Sequence, residues 1–228
     1  IAWDVRGHGR SEVTEQGYSI DQFVDDLHAL MQHLGIDRAH IAGLSMGGWI
    51  SFSFAIKHPE ATAALVLSDS AGVFVSVSEE EKKQSADMFK ASADIAEKHG
   101  RARLADTTIS LMFAKEFIES RPDIIELVKN RISQDPGIGY ARTVRSIFQA
   151  QKNDDPQEIL KRLSTIKSPA LVLAGELDQL TRLPTQKDLH NAIPGSRLEI
   201  IPGSGHVPPI EKPETWNRLV LEFLEQAG

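Results

Sequence analysis

Residues 39–49 read AHIAGLSMGGW, and the parsing of that stretch decides the fold. His40–Gly43 is a short apolar run of strand character. From Gly47 to Lys57 a helix follows, with Trp49, Ile50, Phe52, Phe54 and Ile56 pointing more than one way round, the pattern of a buried helix. His58-Pro59 closes it, because the residue before a proline avoids the helical region. Between strand and helix lies Gly43-x-Ser45-x-Gly47. A sharp strand-to-helix turn strains its middle residue and exposes that side chain at the top of a sheet. Glycines two residues to either side would let strand and helix pass closely. The amide of Met46 then sits at a helix N-terminus, where a negative oxygen is welcome. A bare G-x-S-x-G is a weak signal, since at ordinary frequencies it recurs by chance in roughly one chain of this length in ten. The strand–turn–helix setting is what makes Ser45 a candidate nucleophile and Met46 N–H a candidate oxyanion donor.

Outward from this stretch, strands and helices alternate. Ser19–Leu34 carries Ile20, Phe23, Val24, Leu27, Leu30, Met31 and Leu34 at helical spacing, with Ser19 and Gln22 as a capping box and Gly35 as a stop. His28 and His33 lack ligand spacing and read as solvated helix residues. Ala63–Leu67 is a second strand, ending in Ser68-Asp69-Ser70; Leu171–Ala174 and Arg197–Ile201 are two more. Pro184–Ile193 and a last helix bearing Trp216, Leu219, Val220, Phe223 and Leu224 lie around them. This is the α/β class: a mostly parallel sheet with helices on both faces. Ligands of such sheets bind outside the carboxyl ends of the strands.

The alternation is interrupted. Ser78–Glu81 opens a helical stretch with a capping box, and breaks at Gly100, Arg121-Pro122 and Asp135-Pro136-Gly137 suggest about four helices up to Gln151. We therefore expect residues 76–164 to be a helical lid inserted into a core made of 1–75 and 165–228. At the other end, Ile1–Val5 reads as a strand end running into a tight loop at Gly7 and Gly9. Asp4, Arg6 and His8 in that loop fit a structural salt bridge and a turn histidine better than a catalytic site.

The whole chain has 228 residues, 41% hydrophobic and 25% charged, with net charge −7 and a pI near 5.6. That balance argues against a nucleic-acid or anionic-membrane partner. No apolar run approaches the ~20 residues of a membrane span. With no cysteine, disulfides and thiolate metal sites are excluded. This suits a reducing compartment, and a cytoplasmic location is the expectation. The sequence is silent on oligomeric state.

A serine hydroxyl needs a base within hydrogen-bond reach to take its proton, and a third group to hold that base. His206 and Asp178 each follow an apolar strand in a glycine-bearing loop, so both would emerge at the sheet edge of Ser45. Their order, Ser…Asp…His, is the one such a sheet uses. Asp69 and Glu176 compete for the acid's place, with Asp178 preferred.

The stretches WDVRGHGRS, GLSMGG, LVLSDSAG, LVLAGELDQLT and GSGHVPPIEKPE, in that order, make the chain resemble the lid-bearing α/β-hydrolases, serine esterases and enol-lactonases in particular. The resemblance implies Ser45 as nucleophile, His206 as base and Asp178 as acid. It implies no metal or organic cofactor, and a small-molecule ester or lactone as substrate. Serine at the elbow speaks against epoxide hydrolases and haloalkane dehalogenases. Perhydrolysis or haloperoxidase-like chemistry, carbon–carbon cleavage on the same triad, and a triad-retaining receptor are the rivals. WDVRGHGRS resembles the segment after the family's fourth strand. The first three strands, and the loop that supplies a second oxyanion donor, are then not in this sequence. The family's strand order, 1-2-4-3-5-6-7-8, further implies no ladder between Ile1–Asp4 and His40–Gly43.

Overall fold

A computed structural model of the chain describes residues 1–73, 75–151 and 155–227. Strands β1 (Ala39–Leu44), β2 (Thr62–Ser68), β3 (Ala170–Gly175) and β4 (Arg197–Ile201) form one sheet in the order β1-β2-β3-β4, every pair parallel. The helices, in chain order, are α1 (Ile20–His33), α2 (Met46–Lys57), α3 (Glu79–His99), α4 (Ala105–Met112), α5 (Lys115–Ser120), α6 (Pro122–Ser133), α7 (Ile138–Gln151), α8 (Pro156–Leu163), α9 (Leu183–Ala192), α10 (Pro208–Glu211) and α11 (Pro213–Ala227). No helix among the described residues is long and apolar enough to cross a membrane.

The strands form where apolar runs can be buried on both faces. Every residue of β3 is buried, and in β2 only Ala63 is not. Ala64, Val66, Leu171 and Leu173 point to one face and pack against Leu219, Val220 and Phe223 of α11. By alternation Leu65, Leu67, Val172 and Ala174 point to the other face, and they too are buried. There α2 packs on β1 and β2, and α9 on β3. Phe52 and Phe54 of α2 have no exposed surface, as its all-round apolar pattern requires. β1 is only partly covered and has β2 as its single neighbour in the sheet.

The chain divides into two compact units: Ile1–Asp26, Val77–Ser110 and Lys115–Asp154 form one, and Leu27–Ser76, Leu111–Ala114 and Asp155–Gly228 the other. The first is held by α3 against α7, where Ala93, Ala141 and Val144 are buried beside Phe89, Tyr140 and Phe148. Ser92 Oγ and Tyr140 Oη lie 2.8 Å apart, and the Arg101 guanidinium sits over the Tyr140 ring. The expected capping box at Ser78–Glu81 starts α3. Arg6 forks onto Asp26 at 2.7 and 2.9 Å, Asp4 accepts the Arg10 amide, and His8 Nδ1 meets the Arg6 carbonyl. Asp4 and His8 thus brace their own loop and Arg6 ties it to α1, the structural roles expected of them.

Three local expectations need correction. Ile1–Val5 is not a strand: an extended segment becomes one only against a ladder partner, and none of the sheet's strands takes that place. It follows that Ile1–Asp4 makes no ladder with His40–Gly43. Between residues 79 and 151 there are five α-helices rather than four. The unforeseen break, at Phe113-Ala114, contains no glycine or proline. Its backbone is taken up instead by distant partners: Met112 C=O accepts the His206 amide at 2.7 Å, and Ala114 N–H donates to Glu211 at 2.8 Å. Finally, His28 is not freely solvated. It stacks on His58 with ring centroids 3.9 Å apart and lies against Phe54.

Candidate active site

Ser45, Asp69, Asp178 and His206 lie in the segments that follow β1, β2, β3 and β4 respectively. All four strands are parallel, so these segments share one edge of the sheet. Backbone hydrogen bonds carry the ladders past the strand ends. Ser45 N–H donates to Ser68 C=O at 3.0 Å, Asp69 N–H to Leu173 C=O at 2.8 Å, and Leu177 N–H to Ser204 C=O at 2.8 Å. The segments that bear the site are therefore tied to the sheet by backbone bonds, which places their side chains more precisely than free loops would.

Ser45 occupies the joint between β1 and α2 with φ 55° and ψ −117°. That left-handed conformation is costly for a residue with a Cβ. It persists because both backbone groups are held: the amide by Ser68, the carbonyl by the amides of Trp49 (3.2 Å) and Ala71 (3.0 Å). Gly43 is required by close approach, since a Cβ there would lie 2.1 Å from the Gly47 carbonyl oxygen. Gly47 is different. A Cβ on it would meet nothing within 4 Å, while one on Gly48 would strike Ser70 at 2.5 Å. Close passage thus rests on Gly43 and Gly48, not on the symmetrical pair expected from the motif. Met46 is the first residue of α2, so its amide has no acceptor within the helix.

His206 is 2% exposed and Asp178 6%. Nδ1 of His206 lies 2.9 Å from Oδ2 of Asp178. The same oxygen accepts from the Thr181 hydroxyl at 2.6 Å, and Oδ1 accepts from the amides of Leu180 (2.8 Å) and Thr181 (3.2 Å). Burial alone would raise the Asp178 carboxyl. The His206 hydrogen bond and charge, the Thr181 hydroxyl and the Leu180 amide outweigh it and hold the group below the ordinary carboxylate range. An ionised carboxylate only accepts, so Nδ1 carries a proton, and in the neutral form of the ring the lone pair is on Nε2.

Of the competing acids, Glu176 is exposed and caps the amide of Gly203 at 2.9 Å. Asp69 is fully buried with φ 42°. Its Oδ1 accepts the Gly175 amide at 2.7 Å and its Oδ2 lies 3.1 Å from Ser68 Oγ. Burial, and after it the neighbouring charge of Asp178, push this carboxyl up to about 9. Among the described residues, Asp69, Asp178 and His206 form the one trio whose ligand atoms, within 4.8 Å of one another, could share a metal ion. Those atoms are engaged by amides, hydroxyls and each other, which suits a proton-sharing network.

Three contributors escaped the sequence reading. Thr181 lies between Asp178 and the Asp69 carbonyl, 2.9 Å from the latter. Gln186, fully buried on α9, binds both the amide and the carbonyl of Ser70 and reaches the Thr181 carbonyl. Glu211 gathers amides around His206. The only signal for Thr181 was its place in LVLAGELDQLT, where a side chain three residues past an aspartate can close a turn onto it. Gln186 had none, because Ser70 is remote in sequence; Glu211 stood in GSGHVPPIEKPE, but its bond to Ala114 joins residues far apart in sequence.

A family model described as alpha/beta hydrolase fold matches residues 1–213. The 3-oxoadipate enol-lactonase 2 of Acinetobacter baylyi is 30% identical over 226 residues, covering 99% of this chain and 78% of that protein. Among solved structures, a thermophilic esterase from Thermogutta terrifontis matches with TM-score 0.85 at 28% identity, over 98% of this chain and 78% of the other. The enol-lactonase from Burkholderia xenovorans LB400 matches with TM-score 0.84 at 27% identity, over 97% and 79%.

Proposed function

This chain belongs to the α/β-hydrolase family, and from that premise we propose that it hydrolyses a small carboxylic ester or lactone through an acyl-enzyme on Ser45. The observation that carries the reading is the buried His206–Asp178 pair, 2.9 Å apart, on the sheet edge that also bears the strained Ser45. The esterase and enol-lactonase among the relatives support the choice of substrate class.

In this mechanism Nε2 of His206 takes the Ser45 proton as Oγ attacks the substrate carbonyl. The C=O π pair moves onto oxygen, and the Met46 amide donates to the resulting oxyanion. Collapse re-forms the carbonyl and expels the alkoxide, which takes the proton from Nε2. With a lactone, the freed hydroxyl stays tethered to the acyl group. Water then gives a proton to Nε2 and attacks the acyl carbon, and Ser45 leaves with that proton. Asp178 remains ionised throughout and fixes the imidazole tautomer.

The test is labelling by a fluorophosphonate together with turnover of an aryl ester. We expect the probe on Ser45, and loss of both labelling and turnover in Ser45→Ala. Ester turnover retained by that variant overturns the mechanism. Labelling without repeated turnover overturns the hydrolase reading and favours a receptor.

A further inference from the structure

The carboxylate of Glu211 is buried, 6% exposed, and no step of the mechanism above uses it. Its Oε2 accepts from Gly205 N–H at 2.9 Å and from Ala114 N–H at 2.8 Å. Its Oε1 accepts from Val207 N–H at 3.1 Å, with Ser204 Oγ at 3.4 Å. These donors bracket His206 on both sides. The amide between them, that of His206 itself, donates to Met112 C=O at 2.7 Å. Three successive amides are thus fixed by two acceptors, one of which also grips the Leu111–Ala114 segment.

Backbone contact makes the arrangement tight. A Cβ on Gly205 would lie 2.8 Å from both Ala114 N and Met112 O, and one on Gly175 would lie 1.9 Å from Gly205 O. The loop bearing His206 is therefore sandwiched between the end of β3 and the Met112–Ala114 strap. A carboxylate satisfied by neutral dipoles is well suited to hold such a sandwich. Bonds to an ionised acceptor are about twice as strong as neutral ones, and each buried amide left without an acceptor is costly.

We propose that Glu211 is the positioning residue of the base: its carboxylate fixes the ring of His206 against Asp178 by clamping residues 204–207 to the Leu111–Ala114 strap. The inference rests on His206 being the base, but the clamp itself is testable without turnover. Glutamine at 211 has the same shape and turns a donor toward amides that need an acceptor. In Glu211→Gln we expect the downfield proton resonance of His206 Nδ1–H, which reports the bond to Asp178, to be lost or broadened. We also expect kcat for an aryl ester to fall by about 10²-fold, the scale of a misplaced catalytic group, with KM changed by less than about threefold. Glu211→Asp, which keeps the charge, should restore part of both. Leu219→Ala, in the sheet core, provides a destabilised comparison that should keep the resonance and kcat.

A Glu211→Gln protein with the wild-type resonance and kcat overturns the proposal, as does equal loss of the resonance in Leu219→Ala. If the glutamine variant does not fold, amide exchange in the wild-type protein decides. Gly205, Val207 and Ala114 should be protected together, and fast exchange at any one of them overturns the clamp. If the wild type hydrolyses no ester, the resonance and exchange readings still stand, so the clamp and the proposed reaction fail separately.

Discussion

The carboxyl groups of Asp69 and Asp178 meet in one buried corner, with oxygens within 4.8 Å of each other, and only Asp178 carries a charge. Asp178 is the better supplied, with donors from Leu180, Thr181 and His206. Asp69 has the Gly175 amide and the Ser68 hydroxyl. Two anions so close in a dry corner repel strongly, so the proton stays on the less well-solvated group.

That proton has a measurable effect on stability. The Asp69 carboxyl is raised from 3.8 to about 9 in the folded protein. Between those values it is neutral when folded and ionised when unfolded, so its contribution is intact below about pH 4 and declines as pH rises toward 9. The loss accumulates as pH rises through that window. Asp69→Asn should therefore be more stable than wild type at pH 8, with the gap closing toward pH 4. Thermal melts over that range check it, and a pH-independent gap rejects it.

The two acids should also separate in catalysis. Asp178→Asn replaces an acceptor-only carboxylate with an amide whose NH₂ can face Nδ1, which reverses the His206 tautomer, and should lower kcat for an aryl ester by about 10⁴-fold. Asp69→Asn replaces a neutral group with a neutral group and should cost less than about tenfold. Steady-state kinetics on the two purified variants decide, and the reverse ranking moves the acid to the segment after β2.

Thr181→Val deletes the hydroxyl 2.6 Å from Asp178 Oδ2. We expect a loss of about 1.5–3 kcal/mol at pH 7, the worth of a hydrogen bond to a charged group, with His206 remaining as the other donor to that oxygen. Asp178 is depressed when folded, so the stability it contributes is present above pH 4 and is lost as pH falls through its folded value. The gap between Thr181→Val and wild type should shrink on acidification, as urea titrations at several pH values would show.

The glycines of the elbow should not behave alike. Gly43→Ala drives a methyl into the Gly47 carbonyl at 2.1 Å and should cost about 3 kcal/mol or more. Gly47→Ala enters open space in the first turn of α2 and should be neutral or stabilising by up to about 1 kcal/mol. Equal destabilisation of the two variants in urea contradicts this.

The contrast between those glycines shows where sequence reasoning stops. The motif told that a tight turn stood at Ser45; it did not tell which glycine had a neighbour, because that depends on Ser70 arriving from the next strand. Strands β1 to β4 were legible because each is an apolar run ended by glycine or a polar cluster, a purely local signal. So was the common sheet edge of Ser45, Asp178 and His206, which follows from alternation alone. Illegible were the features made by long-range closure. They include the proton on Asp69, the clamp of Glu211 on Ala114, the clasp of Gln186 on Ser70, and the helix break at Phe113-Ala114. The failure of Ile1–Val5 to form a strand belongs with them, since a ladder needs a second strand.

The order in which the strands bear the site has a consequence for assembly during synthesis. His206 follows β4, the fourth of these strands in sequence and an edge of the sheet. A nascent chain that has paired β1, β2 and β3 already places Ser45 and Asp178 but lacks the imidazole. At that stage the Asp178 carboxylate misses one of the partners that hold it ionised. Docking of β4 and its loop supplies the missing partner and adds the fourth strand in the same event. On the function proposed above, pairing of the fourth strand and arming of Ser45 are thereby one event, and a chain not yet paired there carries the serine without its base.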